Sequence, residues 1–209
     1  MWTTASSNAG DCACSRRVRS LRMPSLSEAE SRAALQLARN AVVEAVSHRK
    51  LPDQITRDGV FAERRGVFVT LHVRGRLQGC IGVVEPEEPL GAAIVRCAAS
   101  AALEDPRFTP MRAEQLGDLA IEISLLSPPV LISPEAIEIG HHGLLIVLHA
   151  QKGLLLPQVA IEHRLTREQS LEETCRKAGL HRESWRDPEA RLFGFTCEVF
   201  SESQPLEGT

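Results

Sequence analysis

A cysteine with glycines close on both sides, Leu77-Gln78-Gly79-Cys80-Ile81-Gly82, is the segment of this sequence best suited to chemistry. Such glycines let another backbone or a ligand come near, and a thiol there serves as nucleophile or ligand when its pKa is lowered. Free cysteine is also among the most often buried side chains, so a packing role competes with a catalytic one. The other polar candidates are Asp105-Pro106-Arg107-Phe108, His141-His142, and Gln158 with Glu162. Asp105 is placed to end a helix, and Arg107 to pair with it. Adjacent histidines point to opposite sides of an extended chain, so no shared metal is expected, and His142 alone is kept as a ligand or proton carrier. Gln158, in the otherwise apolar Leu154-Leu155-Leu156-Pro157-Gln158-Val159, can bond a backbone or a ligand. The sequence holds no phosphate-cradling glycine loop, no Gly-x-Ser-x-Gly elbow and no His-Glu-x-x-His helix. No metal is assigned, and the cofactor is left unknown.

Pairing register decides which side chains Cys80 meets. Arg74-Gly75 reads as a two-residue hairpin turn, which sets Val73 opposite Arg76 and Val69 opposite Cys80. Cys80 then shares a face with Val69 and Leu71, while His72 points the other way, beside Leu77. A Cys80–His72 dyad is disfavoured in that register unless the loop holds an odd number of residues.

The elements that must hold these residues follow from periodicity and turn chemistry. Ser27 with Glu30 is a capping box, and Ala34, Leu35, Ala38, Val42, Ala45 and Val46 recur at helical spacing, which predicts a helix from about Glu28 to Ser47. Lys50 to Gly66 reads as an extended loop. Val67 to Val73 and Arg76 to Val84 make the hairpin. Pro89 to Glu104 predicts a helix stopped by Asp105-Pro106. Leu119 to Leu126 and Leu144 to Leu148 read as strands, and Gly153 to Val159 as an edge or irregular strand because of Pro157. Thr166 with Gln169 caps a helix to Lys177 that Gly179 closes. Arg191 to Phe200 is expected as the last strand. Hairpins mixed with few helices indicate α+β rather than a doubly wound parallel sheet.

Composition bounds the rest. The 209 residues are 43% hydrophobic and 24% charged, an ordinary globular profile that excludes collagen, coiled coil and wholesale disorder. The apolar runs are too short to span a bilayer. The formal charge of -3 divides into +3 on residues 1–24 and -6 on the remainder, which disfavours nucleic acid and anionic lipid as partners. The six cysteines lack the density of a disulfide framework, and reduced thiols in a cytoplasmic protein are the simpler reading. Residues 1–24 read as a disordered tail in which Cys12-Ala13-Cys14 makes no metal site, and translation starts at Met1 or Met23. Residues 25–202 read as one domain with two subdomains, and residues 203–209 as a second tail.

Taken together and in order, certain segments resemble the AMME chromosomal region protein family, whose bacterial members are component A of the AmmeMemoRadiSam system. They are Leu77 to Gly82, Asp105 to Phe108, Ile123-Ser124-Leu125-Leu126-Ser127-Pro128, Gly140 to Leu144, Leu155 to Val159, and Cys175 to Leu180 with Trp185. The resemblance covers about Glu28 to Glu202. It implies an α+β fold of two intertwined subdomains, each a small antiparallel sheet covered by helices, and no settled activity. It also implies shared work with a Memo-type protein and a radical S-adenosylmethionine (SAM) enzyme. The family usually carries Arg where this chain has Gln78, and Trp where it has Leu165. Two functions are carried forward. One is an enzyme acting on a small molecule or protein through Cys80, with Gln78, Asp105, Arg107, His142, Gln158 and Glu162 around it. The other is a non-catalytic scaffold for the partner enzymes or, lower in rank, an RNA-binding module.

Overall fold

The computed structural model describes residues 25–52 and 56–202. The expectations for both tails, Cys12 and Cys14 included, lie outside the described residues. The chain orders as α1 (Glu28–His48), β1 (Val67–Val73), β2 (Arg76–Val83), α2 (Leu90–Leu103), β3 (Leu119–Leu126), β4 (Val130–Leu131), β5 (Gly143–Leu148), β6 (Gln151–Leu155), α3 (Pro157–Glu162), α4 (Arg167–Lys177), β7 (Arg191–Phe195) and β8 (Cys197–Ser201). Two four-stranded antiparallel sheets result, ordered β2-β1-β3-β8 and β4-β7-β5-β6, which is the α+β class expected.

Local chemistry explains the helix ends. Ser27 and Thr166 each accept the backbone N–H three residues on, and Glu30 and Gln169 reciprocate, so both predicted capping boxes form. Gly179, at φ 71°, closes α4. Within Lys50 to Gly66, Gly59–Ala62 forms one 3-10 turn.

Two expectations are corrected. Gly153 to Val159 is not one strand, because β6 ends at Leu155 and Pro157 opens α3. A proline at the first helical position lacks only an N–H that would have no partner there anyway. Arg191 to Phe200 is not one strand either. Thr196 breaks it, so β7 closes the second sheet while β8 crosses to the first. The second sheet is thus inserted in the chain between β3 and β8.

Each sheet has one face under helices. Val67, Val69, Leu71, Ile121, Ile123 and Leu125 pack against α1 and α2. Leu144, Leu155 and Leu192 pack with Leu171 of α4. The alternate residues join the sheets: Leu126 packs with Leu145 and Phe195, and Phe68, Phe193 and Leu154 lie around them. At about 25 cal/mol per Å², closing this seam and the two helix-covered faces dominates folding.

Candidate functional site

The hairpin turn forms as expected, with Arg74 and Gly75 both at positive φ and Val73 opposite Arg76. The register beyond it differs. Leu71 pairs with Gly79 but His72 with Leu77, so Gln78 is an extra residue, a β-bulge. Since side chains alternate with period two, the bulge moves every residue after it to the opposite face. Thr70, not Val69, stands opposite Cys80, so Cys80 leaves the core face and joins Thr70 and His72 on the outer face. The objection to a Cys80–His72 dyad from register falls away, yet no hydrogen bond joins the two among the described residues.

Cys80 is held from its backbone. It lies on the edge strand β2, whose outer N–H and C=O groups have no strand to meet. The Asp105 carboxylate accepts the Cys80 N–H at 2.9 Å, and Arg107 Nη2 donates to the Cys80 carbonyl at 3.0 Å. Arg107 also donates through Nε and Nη2 to Asp105, at 2.9 and 2.7 Å. The Asp105-Pro106-Arg107 turn therefore stands in for a neighbouring strand. Its hydrogen bonds from Arg107, outweighing burial, hold the Asp105 carboxyl well below the usual carboxylate range. With its polar backbone atoms turned outward, Cys80 forms a non-hydrogen-bonded pair with Thr70, the kind whose side chains come closest. The Thr70 hydroxyl donates to Cys80 Sγ at 3.3 Å.

The flanking residues serve packing. A Cβ on Gly79 would sit 2.0 Å from the Ala101 carbonyl oxygen of α2, and one on Gly82 would sit 2.3 Å from the Phe68 ring. Gln78 donates to the Thr109 carbonyl at 2.7 Å and so ties the bulge to the loop after Arg107. Gln78, Asp105 and Arg107 thus surround Cys80 as the sequence proposed, but they position it. An amide suffices for Gln78's contact.

His142, Gln158 and Glu162 are not brought to Cys80. His142 Nδ1 accepts the Glu138 N–H at 3.0 Å and staples its own loop. Burial, then the neighbouring His141, pushes its pKa down. Gln158, at the start of α3, donates to Cys197 Sγ at 3.7 Å, while its Oε1 is buried without a partner. Cys197 is three strands from Cys80 on the outer face, roughly 20 Å away at ~4.8 Å per strand and ~3.3 Å per residue. Glu162 is exposed at the end of α3.

The outer face of the first sheet is covered at the Phe68, Leu126 and Cys197 end by the second sheet. The other end is open. There a rung of Cys80, Thr70, Glu122 and Ser201 crosses the four strands, with His72 and Leu77 on the next rung. Leu77 and Val199, both exposed large apolar residues, project from this same face. Sequence reasoning missed Thr70 and Glu122, although their alternation with Val69, Leu71, Ile121 and Ile123 already set them apart. Among the described residues no three His, Cys, Asp or Glu side chains gather as a metal site needs, and no helix is long and apolar enough to cross a membrane.

A pair of small antiparallel sheets, each under helices, the second inserted in the chain between β3 and β8 of the first, with an edge cysteine clamped by an Asp-Pro-Arg turn, defines the class. The AMMECR1 family model matches residues 35–200, and the chain belongs to that family. It is 42% identical over 187 residues to a protein of Methanothermobacter thermautotrophicus, covering 85% of this chain and 96% of that one. It is 41% identical over 180 residues to Protein Ta0236 of Thermoplasma acidophilum, covering 82% and 87%. The crystal structure of uncharacterized protein PH0010 from Pyrococcus horikoshii is similar, with a TM-score of 0.79 at 36% identity over 86% of this chain and 95% of that one.

Proposed function

We propose that this protein is a binding component, whose open outer face on the first sheet receives a partner protein. The observation that carries this reading is the company Cys80 keeps. Exposed Leu77 and Val199 stand on the same face as the half-buried Cys80, Thr70 and Glu122. Apolar anchors around a polar row are the composition of a protein interface rather than of an enclosed reaction pocket. Support also comes from the surroundings of the thiol. The acid bonded to the Cys80 backbone, Asp105, is occupied by Arg107 and by the Cys80 N–H, so it does not act as a base. The partner expected from the family resemblance is the Memo-type protein or the radical SAM enzyme, in a pathway that all three share.

A second reading keeps Cys80 as nucleophile, favoured by its partial exposure and the Thr70 hydroxyl beside its sulfur. One experiment separates them. The tagged chain is co-expressed with the Memo-type protein and the radical SAM enzyme, and capture of each is measured for wild type, Cys80→Ser and Leu77→Asp. Docking predicts that Cys80→Ser captures as wild type does and that Leu77→Asp loses capture about tenfold or more. A nucleophilic cysteine, acting without this face as a docking surface, predicts unchanged capture by Leu77→Asp.

A further inference from the structure

Arg65 lies two residues before β1, where the ends of the two sheets meet, and the residue is only 5% exposed. Its Nε is buried without a hydrogen-bond partner, and no ion pair or hydrogen bond to its guanidinium is found among the described residues. A guanidinium is charged at any physiological pH, and an N–H of it buried without a partner costs about 1–3 kcal/mol. Such a cost persists in a native fold when something absent from the bare chain repays it.

Arg65 lines a cavity of about 240 Å³ at the seam. Ser127 from the end of β3, Thr196 from the strand switch, and His141 share its wall. Glu198 lines it too, but its Oε2 accepts the Leu26 N–H at 3.3 Å. Glu198 and Glu63 act on Arg65 only through their fields, and burial dominates over both. A single guanidinium facing a cavity that also holds a carboxylate suits a ligand with one negative charge, since Glu198 repels a dianion. The planar fork of arginine matches the two oxygens of a carboxylate. The volume admits a molecule of a few heavy atoms.

We propose that this seam cavity binds a small monocarboxylate, with Arg65 as its bidentate partner. Because the cavity lies at the end of the sheet away from the Cys80 rung, this site is separate from the docking face. Bound there, the ligand touches the end of the first sheet, the Thr196 strand switch and the His141 loop that leads into β5.

The test is thermal unfolding of the full chain at constant ionic strength, with acetate, glycine or inorganic phosphate titrated against wild type, Arg65→Met and Arg65→Lys. For wild type, the midpoint rises saturably with acetate or glycine, by about 3 °C at ten times Kd, and phosphate gives no saturable rise. Without ligand, Arg65→Met melts no lower than wild type, because an unpartnered buried charge has been replaced by an apolar side chain. With ligand, Arg65→Met shows no rise and Arg65→Lys a reduced one. The proposal is overturned if neither carboxylate shifts wild type, if phosphate shifts it more than they do, or if Arg65→Met shifts equally. Should Arg65→Met fail to fold, the carboxylate titrations of wild type and Arg65→Lys decide the matter alone.

Discussion

Removing the Asp105 carboxylate is the sharpest perturbation of the Cys80 pedestal. The Asp105 side chain is 1% exposed and receives four hydrogen bonds: from the Cys80 N–H, the Arg107 N–H, and Nε and Nη2 of Arg107. Asp105→Ala leaves the Cys80 N–H on an edge strand with no acceptor, a loss of about 1–3 kcal/mol. Arg107 is 57% exposed, so water takes over much of its role, and the ion pair adds about 0.5 kcal/mol. The expected loss is about 2–3 kcal/mol, or about 4–12 °C in melting midpoint for a chain of this size. Asp105→Asn keeps an oxygen for the Cys80 N–H and loses about half as much. Because the folded-state pKa of Asp105 is depressed by Arg107, its contribution is complete above the unfolded value near 4 and fades as pH falls through the lower folded value. The gap between wild type and Asp105→Asn is therefore constant from about pH 5 to 8 and narrows below about pH 4. Urea unfolding at pH 7 and 3.5, with amide exchange at Cys80, checks both parts. A loss under 0.5 kcal/mol, together with a still-protected Cys80 amide, would refute the clamp.

Three further outcomes are expected. Gly79→Ala, whose Cβ would meet a helix carbonyl at 2.0 Å, destabilises by about 3 kcal/mol or more, whereas Gly117→Ala, which meets nothing within 4 Å, stays within about 0.5 kcal/mol by urea titration. Alkylation of the native protein at pH 8, followed by mass spectrometry, modifies half-buried Cys80 before Cys97, whose thiol burial pushes up to about 11. For His142, burial and His141 lower the folded pKa, so stability falls as pH drops below about 6.5, where the unfolded chain takes up a proton that the folded one resists. His142→Asn removes that part of the fall, and unfolding at pH 7 and 5.5 measures it.

The sequence was most legible where local signals and burial agree. The capping boxes at Ser27 and Thr166, the Arg74-Gly75 turn and the stop at Asp105-Pro106 all act within a few residues of themselves. What escaped is what distant elements decide. Gln78 bulges because the loop at Thr109 accepts its amide and the backbone of α2 presses on Gly79, and neither is visible in the hairpin itself. Thr196 ends one strand and begins another because its two sides belong to different sheets. Pro157 signalled irregularity correctly, but whether a bent strand or a helix start follows depends on what packs against it. For the site, the sequence groups Gln78, Asp105 and Arg107 with Cys80 but also His142, Gln158 and Glu162, which the fold places elsewhere, and Thr70 and Glu122 join only once the register is known. Arg65 carries no motif, and only its burial singles it out.

The docking account rests most directly on capture of the Memo-type protein or the radical SAM enzyme by the Leu77→Asp and Cys80→Ser variants, compared with wild type. It predicts a loss of about tenfold or more for Leu77→Asp and none for Cys80→Ser. Unchanged capture by folded Leu77→Asp would contradict it and return the chemistry to the thiol.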